Sequence, residues 1–484
     1  MSSIPLPPPP PPPLNLNNNI KKTQNHKRDE NANDEEKVKY IGLRNQGATC
    51  YLNSLIQTLF MTPEFRYEIL KWNYNPSLNG EEKDCIPLQL QKLFFHLQEP
   101  IRRIEETKSL TKSFQWNKNE VYVQQDIQEL CRVLFEAIEI SIFLSGEDSN
   151  NFIKNLYEGK TSSVIKCLEC NNKSINNDTY MDLSLPIMNI FEGIHNKSLE
   201  MALMNFIKPE KLEGDNKYFC EKCNKKVEAE KFSQFTSFPK IFFLQLGRFY
   251  YDFETDRREK ISDRVPFPLI LNCNKYLKEY KDIIYNEKES EDDEYCLDDS
   301  EEKIKKYFEE GDNVYELFSI VIHSGSANGG HYYAYIKSFE DQKWYKFNDG
   351  SVSLMDKKII VDIFGEKFND NNKYKSSTTA YYLSYRKMRN PSDKNNNEKM
   401  LTIEDMKISD SLRELCKDED LIIIEKEKEE EEKRKYSKMG VDPTKKITVY
   451  IYTQITEDKK ELTNDKIKKD KENKNESDNE EEVG

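Results

Sequence analysis

The chain has 484 residues, of which 33% are charged and 36% hydrophobic, and its formal net charge is −14. Its length allows two or three domains, or one large domain with polar extensions. The negative charge argues against nucleic acid or an anionic membrane surface as the main partner. There is no run of 18 apolar residues and no signal-peptide pattern, so we expect a protein of the cytoplasm, the nucleus or both.

The first 37 residues predict a disordered head, because a polyproline run is followed by asparagine-rich and charged sequence. The run, Pro7–Pro13, favours the polyproline II helix, a geometry that proline-binding partners recognise. A solvated spacer would have the same composition. Both interpretations stay open, and the first would add a polyproline-binding partner at the head.

Residues 38–389 carry the patterns of a folded domain. Apolar residues at helical spacing predict helices over Leu88–Leu97 and Asp126–Ile140. From Thr161 onward, short apolar or alternating runs such as Ile241–Leu246 predict strands. Helices first and a sheet afterwards indicate an α+β fold.

Two strongly charged segments interrupt or follow this domain. We expect residues 278–313 to form an acidic, solvated insertion between two strands, since regular apolar spacing is lost there. Residues 390–484 predict a charged helical arm over Leu401–Glu432 and a disordered tail. In the tail, Ile447–Tyr452 predicts one strand, which is too little for a domain.

A cysteine stands where the first helix is predicted to begin, followed at helical spacing by Leu52, Leu55, Ile56, Leu59 and Phe60. We expect Gly47 to provide the turn before this helix and Thr49 to cap it. Cys50 would then lie at the positive end of the helix dipole, which stabilises a thiolate and favours a nucleophile. A small buried cysteine would fit the same pattern. Asn45 could donate its carboxamide to an oxyanion, alongside the backbone N–H of Cys50.

A cysteine nucleophile needs a base, and the chain has five histidines. His26 lies in the predicted head, His96 in a predicted helix and His195 in a polar loop. His323 and His331 flank a glycine-rich segment, and we expect His323 to be structural. His331 is the candidate base, because it stands where this segment meets a predicted strand.

The two glycines before His331 leave room for a substrate backbone. Gly329 and Gly330 have no side chains, so an extended peptide could approach closely. The base also needs a group that orients its second ring nitrogen. Asn348 or Asp349, at the end of the next predicted strand, could serve, although Asn-Asp-Gly is also ordinary hairpin-turn sequence.

Four cysteines form two Cys-x-x-Cys pairs, at Cys167 and Cys170 and at Cys220 and Cys223. Two such pairs predict one tetrahedral zinc site with four cysteine ligands, although their separation is longer than in a compact zinc ribbon. Four thiolates leave no open coordination position, so the zinc would be structural. Thiols without a metal are the alternative.

Five segments resemble the ubiquitin-specific proteases and follow that family's order. They are Gly42–Leu55, Gln124–Leu130, the two Cys-x-x-Cys pairs, Leu246–Phe249 and Gly329–Tyr332. The resemblance covers about residues 40–389. It implies a papain-like α+β fold with a helical thumb at about 40–158, and a β palm and zinc-ribbon fingers within 159–389.

The resemblance also implies roles for individual residues. Cys50 matches the nucleophile and His331 the general base. Asn348 matches the third member of the triad, a position that holds Asp or Asn across the family. Asp349 is its acidic neighbour, and Asn45 matches the residue that binds the oxyanion.

A channel for the C-terminal tail of ubiquitin is implied as well. This tail is basic and ends in two glycines. Gln125, Asp126 and Glu129 match the segment that lines the channel, and Gly329 and Gly330 suit a passage too narrow for side chains. Ubiquitin and ubiquitinated proteins are the implied partners, while neither nucleic acid nor a membrane is expected.

The implied activity is that of a deubiquitinating cysteine protease with a structural zinc and no catalytic metal. The Cys50 thiolate attacks the terminal glycine carbonyl of ubiquitin, His331 protonates the leaving amine, and water hydrolyses the thioester. A catalytically silent ubiquitin-binding scaffold is the alternative, and a protease of ordinary peptides a weaker one. Some relatives carry ubiquitin-like domains after the catalytic domain, and Ile447–Tyr452 would be a truncated first strand of one.

Overall fold

The computed structural model describes most of the predicted folded domain and part of the charged region after it. The described residues are 39–115, 126–144, 151–189, 194–283, 285–366, 377–391, 401 and 405–438. The predictions for Pro7–Pro13, Gln125 and Ile447–Tyr452 lie outside them. Within the described ranges, every helix is too short or too polar to cross a membrane.

Helices dominate the first third of the described chain and return later as shorter elements. The first group is α1 Cys50–Phe60, α2 Pro63–Lys71, α3 Pro76–Asn79, α4 Ile86–Gln98, α5 Lys108–Ser113, α6 Ile127–Leu144 and α7 Phe152–Tyr157. The later helices are α8 Leu199–Phe206, α9 Glu287–Ser290, α10 Asp293–Leu297, α11 Glu301–Glu310 and α12 Asp410–Lys438. Short 3-10 helices span Glu82–Asp84, Gly214–Asn216, Asn274–Leu277, Tyr280–Asp282 and Lys357–Ile363.

Strands build one large central sheet, a four-stranded outer sheet and several two-stranded ribbons. The first strands are β1 Gly42–Arg44, β2 Ile104–Glu106, β3 Gly159–Cys167, β4 Lys173–Tyr180, β5 Asp182–Pro186, β6 Met188–Asn189, β7 Ile194–His195, β8 Glu210–Leu212, β9 Tyr218–Cys220 and β10 Lys225–Val227. The others are β11 Ala229–Ser237, β12 Ile241–Gly247, β13 Phe249–Asp252, β14 Arg257–Lys260, β15 Ile270–Asn272, β16 Val314–Ser326, β17 Gly329–Lys337, β18 Trp344–Asn348, β19 Ser351–Met355 and β20 Thr378–Lys387.

The central sheet has the strand order β19-β18-β17-β16-β20-β12-β5, and β15 also pairs with β16. Its neighbours are antiparallel except for the parallel pair of β12 and β5. The outer sheet has the order β4-β3-β11-β8. In β12, Phe243 packs with the helices on one face, while Phe242 and Leu244 join a second core on the other. Because both faces of the sheet are buried at this strand, its sequence is a nearly continuous run of apolar residues.

Helix α1 begins at Cys50, as predicted, but it is buried on every side and not only along one apolar stripe. It lies between α2 and α6 on one side and the central sheet on the other. Two of its polar residues bind this sheet or the residue just before β1. The Thr58 and Ser319 hydroxyls are 2.7 Å apart, and Gln57 Nε2 donates to Ile41 O at 3.0 Å. These hydrogen bonds allow a polar helix face to be buried.

The acidic segment 278–313 differs from the solvated insertion that we predicted. It forms α9, α10 and α11 and packs beneath the central sheet, with Cys296 fully buried and Ser290 nearly so. The Lys303 ammonium donates to the Tyr295 carbonyl at 2.6 Å. Cys296 belongs to the second core, and Tyr295 and Leu297 pack against it, which is why the segment folds despite its charge.

The first half of α12 also differs from the predicted solvent-exposed arm, and the helix begins at Asp410, not at Leu401. Leu412 and Cys416 are buried in the same core as α1, α4 and α6. Asp420 accepts a hydrogen bond from His96 of α4, with 2.9 Å between Oδ1 and Nε2. The folded unit therefore extends beyond residue 389, because apolar and charged groups of α12 bind α4 and its neighbours.

Because one side of α12 is buried, two leucines on that helix should differ in how much their substitution by alanine destabilises the fold. Leu412 is 2% exposed and Leu421 is 56% exposed. Leu412→Ala should lower the free energy of unfolding by about 3 kcal/mol, because it leaves a cavity, whereas Leu421→Ala should change it by less than about 0.5 kcal/mol. Urea unfolding of the full chain measures both, and equal effects would mean that α12 does not pack as described.

Candidate active site

The loop before α1 and the turn after β18 hold each other at the start of this helix. The Leu43 N–H donates to Asp349 O at 2.9 Å. A Cβ on Gly42 would lie 2.3 Å from the same oxygen, so only glycine allows this approach. Thr49 does not cap α1 as we predicted. Its Oγ1 instead accepts the Gln46 N–H at 3.0 Å and so fixes the loop.

Cys50, His331 and Asn348 come together across the contact of α1 with the central sheet. His331 hydrogen-bonds the Cys50 side chain, and its Nε2 lies 2.6 Å from Asn348 Oδ1. The Tyr332 backbone N–H donates to Cys50 Sγ at 3.4 Å. Hydrogen bonding to Cys50, helped by Asn348 and Asp349 and opposed by burial, raises the pKa of His331 to about 9. His331 is thus held in its protonated form, as an imidazolium beside the sulfur of Cys50.

The hairpin of β16 and β17 positions His331. Ser324 lies opposite His331, and Gly325 opposite Gly330. A Cβ on Gly330 would come within 2.4 Å of His323 Nε2, so the strand passes this ring only as glycine. Burial lowers the pKa of His323 to about 3 and keeps its ring neutral. Gly329, by contrast, faces open space.

Asn348 and Asp349, which the sequence left as alternatives for orienting the base, make different contacts. Asn348 binds the imidazole directly, while Asp349 Oδ2 is 4.0 Å from His331 Nε2. The Asp349 carboxylate accepts hydrogen bonds from Asn53 Nδ2 at 2.8 Å and from Asn45 Nδ2 at 3.0 Å. It therefore joins the turn after β18 to α1. Sequence reasoning missed Asn53, although a polar residue one turn after Cys50 on an apolar helix was a usable signal.

Asn45 lies beside the N-terminus of α1 with its carboxamide fixed at both ends. Its Oδ1 accepts the Gly47 N–H at 2.9 Å and the Thr49 N–H at 3.2 Å, while its Nδ2 donates to Asp349. A carboxamide nitrogen has two hydrogens, so the Asp349 contact leaves one for another acceptor. The position is thus compatible with an oxyanion donor.

Of the three residues predicted to line a tail channel, the structure describes Asp126 and Glu129. Asp126 accepts hydrogen bonds from Gln245 Nε2 at 3.2 Å and from the Tyr381 hydroxyl at 2.6 Å. Both partners belong to the central sheet, and nothing in the sequence pattern indicated them. Glu129 is exposed in the first turn of α6. Asp126 therefore ties the start of α6 to the sheet.

The four cysteines predicted to bind zinc come together at one end of the outer sheet. Their Sγ atoms all lie within 4.8 Å of one another. Cys167 and Cys223 are 3.9 Å apart, and Cys170 and Cys220 are 3.7 Å apart. Tetrahedral zinc with bonds of about 2.3 Å to sulfur requires sulfur separations of about 3.8 Å. The cluster therefore has the dimensions of a zinc site with four cysteine ligands.

A family model described as ubiquitin carboxyl-terminal hydrolase matches residues 41–385. The chain belongs to this family. It is 41% identical over 390 residues to ubiquitin carboxyl-terminal hydrolase 47 of Drosophila melanogaster, with 72% of this chain and 25% of that protein aligned. The human hydrolase 47 is 41% identical over 379 residues, covering 72% of this chain and 27% of its own length.

A plant member of the family extends this similarity. Ubiquitin C-terminal hydrolase 13 of Arabidopsis thaliana is 35% identical over 357 residues, which cover 72% of this chain and 29% of that protein. The chain thus spans roughly a quarter of the length of such curated relatives. The resemblance to ubiquitin-specific proteases is confirmed, and the mixed helices and sheets agree with a papain-like α+β fold.

The Cys50 contact predicts a shift in the titration of His331. Cys50→Ala removes the largest cause of the raised pKa, so the pKa of His331 should fall from about 9 toward its ordinary range. The imidazolium would then lose its proton at lower pH than in the wild type. Nuclear magnetic resonance of the ring proton over a pH series measures this. An unchanged pKa would show that sulfur does not stabilise the imidazolium.

Proposed function

We propose that this chain is a thiol-dependent ubiquitinyl hydrolase, which cleaves the peptide or isopeptide bond after the C-terminal glycine of ubiquitin. The observation that carries the proposal is the contact of Cys50, at the N-terminus of α1, with His331, whose ring is bound by Asn348. Membership of the ubiquitin carboxyl-terminal hydrolase family supports ubiquitin as the substrate. Ubiquitinated proteins would be the wider partners.

The reaction would begin with the Cys50 thiolate, which α1 and the His331 imidazolium both stabilise. Sulfur attacks the carbonyl carbon of the terminal glycine and forms a tetrahedral intermediate. His331 then gives its proton to the leaving amine as the C–N bond breaks. Water, deprotonated by the now neutral His331, attacks the thioester and releases ubiquitin with a free carboxylate.

The neighbouring polar groups would divide the remaining tasks. Asn45 Nδ2 and the backbone N–H of Cys50 are the proposed donors to the oxyanion. Asn348 is neutral, so it orients the imidazole but stabilises its charge less than a carboxylate would. Asp349 holds Asn45 in place, because its Oδ2 accepts the carboxamide N–H. This contact makes Asp349 a positioning residue for the oxyanion donor.

The substrate tail would reach Cys50 past the glycines before His331. Gly329 has open space beside it, which suits the backbone of a tail ending in two glycines. Asp126, Glu129 and Gln125 are proposed to line the approach, and two of them carry a negative charge that attracts a basic tail. The carboxylate of Asp126 would be held in place for this role, since Gln245 and Tyr381 donate hydrogen bonds to it.

We also propose the family's division of the fold for this chain. The helices of about residues 40–158 would be the thumb, the central sheet the palm and the outer sheet the zinc-ribbon fingers. One structural Zn²⁺ would be held by Cys167, Cys170, Cys220 and Cys223, where it would join β3 to the ribbon of β9 and β10. Four thiolates would saturate it, so no step of the reaction needs it.

Two proposals rest on the sequence alone. The protein would act in the cytoplasm, the nucleus or both. The run Pro7–Pro13, which lies outside the described residues, would bind a polyproline-binding partner. A catalytically silent ubiquitin-binding scaffold is the second candidate function, but the assembled Cys50 and His331 favour the enzyme.

Hydrolysis of ubiquitin carrying a C-terminal fluorophore tests the proposed function. The wild type should release the fluorophore and Cys50→Ala should not. Asn348→Asp should keep activity, because a carboxylate still orients the imidazole, whereas Asn348→Ala should lower kcat by about 10-fold or more. An inactive wild type that still binds ubiquitin would favour the scaffold, and full activity of Asn348→Ala would refute the role of Asn348.

Metal analysis of the purified chain tests the zinc proposal. We expect about one Zn²⁺ per chain, bound by four thiolates. Cys170→Ser should abolish stoichiometric binding, whereas Cys416→Ser, which removes a buried cysteine of α12, should retain it. A protein without zinc, in which all four thiols titrate freely, would contradict the proposal.

A further inference from the structure

Lys260, the last residue of β14, binds three backbone carbonyl groups beside the active site. Its Nζ donates to His323 O at 3.0 Å, to Gly325 O at 3.3 Å and to Ser377 O at 2.5 Å. The first two oxygens belong to β16, and the third immediately precedes β20. One ammonium therefore connects the ribbon of β13 and β14 to two strands of the central sheet.

The surroundings of Lys260 disfavour the charged form of its side chain. Burial and the nearby Arg248 guanidinium lower the pKa of Lys260 to about 7. The three carbonyl oxygens offset part of this cost, because an ammonium has three N–H donors and each finds an acceptor. A surface lysine would have its head group in water instead.

The two carbonyl groups on β16 belong to residues on either side of the one that pairs with the proposed base. His323 and Gly325 flank Ser324, the residue paired with His331 across the hairpin of β16 and β17. Gly325 is itself paired with Gly330, and its N–H donates to Ser377 O at 3.1 Å. Lys260 thus binds the part of β16 whose position sets where His331 and its two glycines lie.

We propose that Lys260 is a positioning residue for His331: it fixes the end of β16, and through the hairpin it holds the imidazole at hydrogen-bond distance from Cys50. The inference rests on the proposed hydrolase function. Loss of the three hydrogen bonds would let the hairpin end shift. A displacement of about 1 Å at a catalytic group can reduce turnover about 100-fold.

The rest of the ribbon does not depend on Lys260. The buried Arg248 guanidinium donates to Ile261 O at 3.0 Å, Asp263 O at 2.9 Å and Ala380 O at 2.6 Å. These bonds hold the base of the ribbon against β20. Removal of the Lys260 ammonium should therefore disturb the end of β16 while the fold persists.

The test compares Lys260→Met with Lys260→Arg and with the matched control Lys303→Met. Lys303 is a buried lysine, whereas Lys260 is half-buried. The Nζ of Lys303 likewise donates to backbone carbonyls, those of Tyr295 and Asp298, but it lies in α11, away from the proposed active site. Each variant is assayed as the full chain for hydrolysis of ubiquitin–fluorophore, for thermal unfolding, and for the pH dependence of Cys50 alkylation by iodoacetamide.

Lys260→Met should lower kcat by about 10- to 100-fold with less than about a threefold change in KM, because the base moves while ubiquitin still binds. Its alkylation profile should also shift, since the imidazolium no longer stabilises the thiolate. Lys260→Arg should recover part of kcat, and Lys303→Met should keep kcat and the profile at a similar melting temperature. Equal kcat in both methionine variants, or a change in KM alone, would overturn the inference.

Failure of the proposed function would look different. A wild type that does not hydrolyse ubiquitin–fluorophore removes that function, whatever the variants do. Alkylation of Cys50 does not need ubiquitin, so it still reports whether Lys260 positions His331. A profile that is the same in the wild type and in Lys260→Met would overturn the positioning role in either case.

Discussion

The contact of α1 with the central sheet is the interaction on which the proposed active site depends. Cys50 stands on the helix, whereas His331 and Asn348 stand on β17 and β18. Neither half has a complete site without the other. Buried and half-buried polar pairs fix the register of this contact, because an unmatched hydroxyl or carboxylate there would cost free energy. Asn53 with Asp349, and Thr58 with Ser319, are such pairs.

A neutral residue beside the proposed base and an acidic residue one position later form a second constraint. Asn348 binds the ring of His331, and Asp349 binds two carboxamides on the helix side. The charge in this turn therefore serves mainly to assemble the site. The imidazolium is stabilised chiefly by Cys50, which raises the pKa of His331 to about 9. Cys50 and His331 therefore depend more on accurate placement of the imidazole than on a carboxylate beside it.

The sequence predicted the parts of the site that depend on local pattern, and it could not predict those that depend on distant partners. Helical spacing after Cys50 predicted the start of α1, and two Cys-x-x-Cys pairs predicted the cysteine cluster. The contact of Lys260 with His323 and Gly325 joins residues more than 60 positions apart, so no local sequence pattern could predict it. The docking of α12 left a weak signal, since Leu412 and Cys416 are spaced for one helical face.

The most direct test of the central claim is mass spectrometry of the full chain after incubation with ubiquitin that carries a C-terminal electrophile. If Cys50 is the proposed nucleophile and the chain binds ubiquitin, we expect an adduct one ubiquitin heavier, absent from Cys50→Ala. The same adduct on Cys50→Ala would assign the nucleophile elsewhere. Binding of ubiquitin to the wild type without any adduct would contradict the account and leave a scaffold.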